Sequence, residues 1–199
     1  MNEQNNNFNS IHDILKKKRI TGKIYQKIFL HPKLLKCLTG AILDVGAGLG
    51  DFIKYCPNGY AVDPDPLNIQ EMLKKNIRAK LIINSKIDFE NSFFDSIIMD
   101  NVLEHISSPG ALLLEIKRVL KPDGIFLIGV PGKKGFETAP DHKIFYDEYS
   151  LINLFSVLIY LPTLIPELSV AFVTSSIKTV SSANESTSYH LLVELINSL

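Results

Sequence analysis

The sequence lacks several features that would assign it to a specialised class of protein. Its 199 residues include no tryptophan, three methionines and two cysteines, Cys37 and Cys56. Two cysteines form neither a disulfide framework nor a zinc site, so each is predicted to be a small buried apolar residue. Lysine and arginine together number 21, as do aspartate and glutamate. This balance argues against a globally basic nucleic-acid-binding protein, and DNA is not an expected partner.

Long hydrophobic runs are also missing. The first ten residues are rich in asparagine and contain no apolar run, so they do not resemble a secretory signal. The most apolar stretch, residues 151–173, is interrupted by Pro162, Pro166 and Glu167, so no transmembrane segment is predicted. Without a targeting signal, the expected location is the cytoplasm. A hydrophobic content of 46% is enough for one well-buried core and therefore one main domain.

Charge divides the chain into three parts. Residues 1–36 hold eight Lys and Arg but two acids, and the apolar spacing of residues 11–30 predicts an N-terminal basic helical cover. Its charge either faces an anionic substrate or membrane surface, or is simply solvated. Residues 37–150 form the predicted core. Residues 151–199, which are apolar and rich in Ser and Thr with few charges, are expected to complete or extend the core and to offer a homodimer surface.

Strand and helix patterns alternate through the middle of the chain. Asp65 is the predicted N-cap of a helix that has Pro66 at its first position. Lys121–Gly124 (KPDG) reads as a turn, Pro131–Gly135 as a mobile loop and Leu168–Thr174 as a further strand. Because the strands are almost wholly apolar, the pattern predicts an α/β fold with a doubly wound, mostly parallel sheet and helices on both faces. The predicted strands are 41–45, 59–62, 79–83, 95–99 and 125–130, and the predicted helices are 51–56, 66–77 and 109–120.

The strongest chemical signal is a glycine-rich turn after the first strand. Glycines there allow positive φ and let a ligand approach the backbone. A dinucleotide fingerprint would need glycine at position 51, where Asp51 would instead repel a pyrophosphate. An acid before the glycines suits a ligand that carries an ammonium group. The carboxylate of Asp63, which ends the second strand, can accept hydrogen bonds from ribose hydroxyls. The turn and the acid before it are Asp44, Gly46, Ala47, Gly48 and Gly50.

Five segments in this order resemble class I S-adenosylmethionine-dependent methyltransferases. The resemblance implies a Rossmann-like fold, S-adenosylmethionine as cofactor, and methyl transfer to a small-molecule or glycan or lipid-precursor acceptor, with oxygen the expected acceptor atom. Gly46 and Gly48 would approach the methionine part of the cofactor. The segments are Asp44–Gly50, Asp63, Phe94–Ile98, Asn101–Ile106 and Leu120–Gly124.

The same resemblance implies further site residues, two of them histidines. His105 is the candidate catalytic base and His142 is expected to face the acceptor, although either ring can instead cap or pack. Glu104 and His105 are adjacent metal-ligand types without a clear third ligand, so no metal site is predicted. Ser85, Lys86 and Ile87 would lie beside the adenine, and Asp100 and Asn101 would lie near the sulfonium.

A second class of function stays open. The chain lacks the turn that usually follows the last helix in this family, and its C-terminal part is atypical. It can therefore be a noncatalytic methyltransferase-like domain that binds the cofactor or a protein partner. Cofactor binding followed by methyl transfer separates the two hypotheses.

Overall fold

The computed structural model describes residues 31–137, 139–151, 153–154 and 169–174. The N-terminal cover helix and most of the C-terminal segment lie outside these residues, as do the proposed homodimer contacts. The domain boundaries at residues 36 and 150 therefore stay predictions. In the described part, no helix is long and apolar enough to cross a membrane.

Six strands form one sheet in the order β3-β2-β1-β4-β5-β6. Every pair of neighbouring strands is parallel. The five predicted strands are confirmed, and the proposed strand near residue 170 is present beside β5. The strands are β1 Ile42–Val45, β2 Gly59–Asp63, β3 Arg78–Leu81, β4 Phe94–Asp100, β5 Leu120–Val130 and β6 Ser169–Thr174.

The helices begin where the sequence signals place them. The Asp65 carboxylate accepts a hydrogen bond from Leu67 N at 2.8 Å, and Pro66 opens α2 as predicted. This helix ends three residues before the predicted position 77, because Asn76 adopts the left-handed conformation with φ 59°. The helices are α1 His31–Cys37, α2 Pro66–Lys74, α3 Gly110–Val119 and α4 Lys133–Glu137, with 3-10 turns at Ile53–Tyr55 and Leu103–His105.

Two segments predicted as a turn and a loop belong to regular structure instead. Phe94 pairs with Leu120 and Ser96 with Ile125, so residues 121–124 bulge within β5 rather than ending it. Strand pairing on both sides of the bulge overrides the local turn chemistry of this segment. The predicted mobile loop 131–135 overlaps α4, where Phe136 N donates to Gly132 O at 2.9 Å.

Alternating strand residues build two hydrophobic clusters, one on each face of the sheet. Leu43, Ile97 and Phe126 face α3 with its inward residues 112, 113, 116 and 119. The neighbouring residues, such as Ile42, pack in the other cluster with side chains of α1 and α2. Cys37 and Cys56 are buried and unpaired, as predicted. Both faces are covered, so ligands have access at the strand ends, where the order reverses between β1 and β4.

Candidate functional site

The glycine turn after β1 has a backbone that other residues do not readily adopt. Gly46, Gly48 and Gly50 have φ values of 73°, 56° and 72°. A Cβ on Gly46 would lie 2.5 Å from Val102 Cγ2. The Gly46 and Ala47 amides donate to Val62 O at 2.8 and 3.2 Å, which fixes the turn against the end of β2. The turn therefore needs glycine at position 46 both for its positive φ and for its close packing against Val102.

The Asp63 carboxylate fastens this turn to the second strand. Gly48 N donates to Asp63 Oδ2 at 2.8 Å. Asp65 N and Asn68 Nδ2 donate to Oδ1 at 2.8 and 3.1 Å. A carboxylate has about four acceptor positions, so these contacts leave one position, on Oδ2. Burial raises the pKa of Asp63, and the three hydrogen bonds oppose that rise.

Asp44 adds a second buried carboxylate, on β1. Burial, together with the negative charges of Asp100 and Asp63, raises its pKa to about 8. The three acids come from three adjacent strands and lie at the edge where their carboxyl ends meet. Like charges this close disfavour ionisation of one another. The group therefore has a strong electrostatic preference for a cationic ligand.

Asp100 and Asn101 lie at the end of β4 beside this group. Asn101 Nδ2 donates to Asp100 Oδ1 at 2.9 Å, and Asn101 N donates to Gly129 O at 2.9 Å. A Cβ at Gly129 would collide with Asp100 Oδ1. The Asp100 carboxylate therefore occupies space between β4 and β5 that is open only because residue 129 is glycine.

The segment predicted beside the adenine leaves β3 next to Asp63, whose carbonyl accepts from Ile82 N at 3.0 Å. Ser85 is half-buried in a left-handed turn, and Lys86 is exposed. Ile87 is fully buried within the core. Its amide donates to Glu115 Oε2 at 3.0 Å. The structure thus brings Ser85 and Lys86 to the surface near Asp63 and uses Ile87 as an anchor.

Both predicted histidines lie together against Glu104. The His105 and His142 rings are T-shaped, with centroids 4.8 Å apart. His105 Nδ1 lies 3.1 Å from Asp141 Oδ2. His142 Nδ1 lies 2.9 Å from Phe136 O. Each ring is held by an oxygen acceptor and presents its other nitrogen to Glu104.

Glu104 is a buried acid whose carboxylate lacks hydrogen-bond partners among the described residues. Its side chain is 1% exposed, and within the described residues neither of its carboxylate oxygens has a hydrogen-bond partner. Burial, together with the charges of Asp100 and Asp141, raises the pKa of Glu104 to about 7. Burial also lowers the pKa of His105. Asp100 lies near both Asp44 and Glu104, so the histidine cluster adjoins the carboxylate group.

Some of these contacts could not be found in the sequence. The role of Asn68 depends on the first turn of α2 returning to β2, and Val102 faces Gly46 only after β4 pairs with β1. Asp141 was part of a noted polar cluster, but its contact with His105 crosses 36 residues. Glu104 was noted as a metal-ligand type, whereas its burial depends on the packing of the 141–146 segment, whose Lys143 N donates to Glu104 O at 2.8 Å.

Residues 43–128 match a protein family described as "Methyltransferase domain". This segment is therefore similar to methyltransferase domains. The match contains the glycine turn, Asp63 and the β4 segment, which confirms the resemblance to class I methyltransferases and supports S-adenosylmethionine as cofactor. An uncharacterized methyltransferase of Schizosaccharomyces pombe is 36% identical over 105 residues, covering 43% of this chain and 38% of the relative. The chain spans half or less of the length of each of the three curated relatives that it matches.

Solved structures agree on the fold. A SAM-dependent methyltransferase from Thermotoga maritima has a TM-score of 0.56 at 18% identity, covering 73% of this chain and 77% of the other. A chain of the Haloferax volcanii complex that contains the Trm112 methyltransferase activator has a TM-score of 0.59 at 16% identity, covering 73% and 74%. The described residues thus have the Rossmann-like α/β fold that the sequence predicts.

Proposed function

We propose that this protein is an S-adenosylmethionine-dependent methyltransferase that acts on a small-molecule, glycan or lipid-precursor acceptor through oxygen. The observation that carries the proposal is the group of three carboxylates, Asp44, Asp63 and Asp100, beside a glycine turn at the carboxyl ends of β1, β2 and β4. This arrangement suits a ligand that combines a ribose with positive charge.

The residues present fit the cofactor by the chemistry of their atoms. Asp100 offers negative charge to an ammonium or a sulfonium, and Asp44, whose pKa of about 8 keeps it protonated near pH 7 in the free protein, can release its proton when such a cation binds. Asp63 retains one acceptor position for a ribose hydroxyl. The positive φ of Gly46 and Gly48 gives the turn the backbone conformation that would let it approach the methionine part. When bound, S-adenosylmethionine supplies an electrophilic methyl group, so the protein has to align the acceptor and exclude water.

An oxygen acceptor is supported by the cluster of His105, His142 and Glu104. A hydroxyl arrives protonated, so its methylation requires that the proton leave or be weakened. The pKa of His105 is lowered, so its ring is neutral at pH 7 and offers a lone pair. The cluster adjoins the carboxylate group through Asp100, which raises the pKa of both Asp44 and Glu104.

The alternative is a noncatalytic domain that binds the cofactor or a protein partner. The hydrogen bonds of Asp63 favour it, because they use three acceptor positions for the protein's own turn. The Haloferax volcanii complex includes a methyltransferase activator, so a protein partner for this chain is part of the same alternative.

Two measurements on the full chain test the proposal in sequence. Calorimetric titration with S-adenosylhomocysteine is expected to show saturable 1:1 binding. Transfer of a labelled methyl group from S-adenosylmethionine into small-molecule and lipid fractions of a cell extract is then expected to label an oxygen. Binding without transfer would support the alternative as a cofactor-binding domain; no binding would contradict the proposal and leave only the protein-partner form of the alternative.

A further inference from the structure

We propose that Glu104, His105 and His142 form a binding site for a divalent transition-metal ion, with one coordination position open toward the methyl-transfer site. The three side chains come from the 3-10 turn after β4 and from the segment after α4. One ligand atom from each lies within 4.8 Å of the other two. The existence of the site depends only on this geometry, whereas its role rests on the proposed function.

The Nε2 atoms of both rings converge on one carboxylate oxygen. His105 Nε2 and His142 Nε2 each lie 3.9 Å from Glu104 Oε1. This separation is too long for a hydrogen bond. Two ligands of a tetrahedral zinc ion, with bonds of about 2.0–2.1 Å, lie roughly 3.3 Å apart. The two Nε2–Oε1 separations therefore shorten by about half an ångström around such an ion, and the two Nε2 atoms, which lie within 4.8 Å of each other, approach by up to about 1.5 Å.

The opposite nitrogen of each ring fixes which atom faces this space. His105 Nδ1 is 3.1 Å from Asp141 Oδ2, and His142 Nδ1 is 2.9 Å from Phe136 O. Both acceptors favour the tautomer that carries its proton on Nδ1. Each Nε2 then presents a lone pair to a carboxylate that is itself an acceptor. Metal-binding histidines have this same arrangement, in which an outer oxygen orients the ring.

Glu104 supplies the second, independent observation. Its side chain is 1% exposed, and within the described residues both oxygens lack a hydrogen-bond partner. A buried carboxylate without partners is strongly unfavourable. A cation in the space between Oε1 and the two Nε2 atoms removes that penalty, because it pairs with the charge and occupies three lone pairs at once.

The donor set indicates the class of metal. Two imidazoles and one carboxylate suit Zn²⁺ and Fe²⁺ rather than Mg²⁺ or Ca²⁺, which prefer oxygen ligands. Three protein ligands leave a further position for water or substrate. If the proposed function holds, His105 Nε2 would be a metal ligand and no longer the base; the metal would instead lower the pKa of an acceptor hydroxyl in the open position, so that its proton passes to solvent before oxygen attacks the methyl group.

The test begins with metal binding by the full chain in the absence of cofactor. After treatment with a chelator and buffer exchange, Zn²⁺ is titrated calorimetrically, and Co²⁺ is added as a probe whose visible absorption reports low coordination number. We expect one high-affinity Zn²⁺ per chain, an intense Co²⁺ spectrum and a Zn²⁺-dependent rise in Tm.

Three variants assign the site. Glu104→Gln removes the charge with little change of shape, so it is expected to weaken Zn²⁺ binding at least about 100-fold and to raise the Tm of the metal-free protein. Asp141→Asn alters only the support of His105 and is expected to weaken binding by about 10- to 100-fold. Glu90→Gln, the same chemical change at an exposed position, is the control and is expected to bind as the wild type does.

Several results would overturn the proposal. It is wrong if the wild type binds no Zn²⁺ in a 1:1 ratio, or if Glu104→Gln binds Zn²⁺ as tightly as the wild type. A Glu104→Gln protein that melts below the metal-free wild type would show that Glu104 is a stabilising protonated acid instead. S-adenosylhomocysteine titration of the same variants separates the two claims: metal binding without cofactor binding would contradict the proposed function and leave the metal site standing.

Discussion

Single carboxylates have distinct tasks at the carboxyl end of this sheet, although the sequence presents them as similar acids. Asp65 caps α2, Asp63 holds the glycine turn, and Asp44 is buried among like charges. The sequence predicted the cap because Asp65 precedes a proline that opens a helix. It could not show that Asp63 has three protein donors, since Asn68 and Gly48 reach it only in the folded chain.

Replacing Asp63 tests its share in cofactor binding. Asp63→Ala is expected to weaken S-adenosylhomocysteine binding by about 1.5–3 kcal/mol, the range for a hydrogen bond to a charged group. Calorimetry measures this, with Asp88→Ala as control because Asp88 is exposed and pairs with Lys80. Thermal unfolding of both variants reports the separate loss of the turn contacts. Unaltered affinity in folded Asp63→Ala would contradict the ribose role.

Asp44 predicts a pH dependence of stability with a definite sign. Its folded-state pKa of about 8 lies above the unfolded value of about 3.9. Between these values the folded state holds more protons, so the free energy of unfolding falls as pH rises from about 4 to 8.

Asp44→Asn removes that contribution. Relative to the wild type, the variant is expected to be little changed at pH 4 and more stable at pH 8, by roughly a few kcal/mol. Urea unfolding at both pH values measures the difference. Glu104 adds a slope of the same sign, but it is common to both proteins and cancels. If the difference in unfolding free energy between Asp44→Asn and the wild type does not grow with pH, Asp44 is not a buried carboxyl with a raised pKa.

Elements in this protein are joined by a few long-range contacts that local sequence cannot specify. Arg118 on α3 donates to the carbonyls of Ile87 and Phe89 and pairs with Glu115 at 2.7 Å. It thereby fastens the segment after β3 to the helix before β5. The sequence predicted α3 and its apolar face, but the partners of its polar face lie about 30 residues away.

Arg118→Lys tests this connection. Lysine has a point charge and cannot bond several acceptors in one plane. We expect the free energy of unfolding to fall by about 1–2 kcal/mol and cofactor affinity to fall with it, since Ser85 and Lys86 belong to the fastened segment. Arg78→Lys is the matched control, because Arg78 donates to a single carbonyl, of Pro57, at 3.3 Å. Equal effects in urea unfolding of the two variants would contradict the assigned role.

The glycine turn makes a sharper prediction at the same scale. Gly46→Ala places a Cβ against Val102 and forces a left-handed residue, which costs about 1–2 kcal/mol for the backbone alone. Cofactor affinity is expected to fall strongly. The double variant with Val102→Ala removes the collision and is expected to recover part of the affinity. The part lost through the strained left-handed backbone at position 46 is not recovered. If Val102→Ala restores no cofactor affinity, the collision between the new Cβ and Val102 is not the cause of the loss in Gly46→Ala.

At the scale of the whole molecule, hydrophobic patterning was enough to predict the architecture. The apolar strands and the helices between them required a parallel sheet covered on both faces, and the structure has that sheet. The turn predicted at residues 121–124, between the helix and the fifth strand, was wrong because β5 already begins at Leu120, which pairs with Phe94, and the pairing resumes at Ser96 and Ile125. The site was predicted in its main residues, since Asp44, Asp63 and the glycines occupy the ends of predicted strands.

The cluster around Glu104 shows why the rest was not predictable. His105 and His142 are 37 positions apart, and nothing local to either indicates that their rings meet edge to face with centroids 4.8 Å apart. Their meeting depends on the β4–β5 pairing and on the return of the 141–146 segment over the 3-10 turn. Burial of a charge among residues that the sequence scatters is a tertiary property.

The most direct test of the central claim is a crystal structure of the full chain with S-adenosylhomocysteine. The account predicts its amino group beside Asp44 and Asp100, its ribose on Asp63 Oδ2, and its chain along the backbone of Gly46 and Gly48. A structure in which saturating ligand binds elsewhere, or leaves these groups closed on one another, would contradict it.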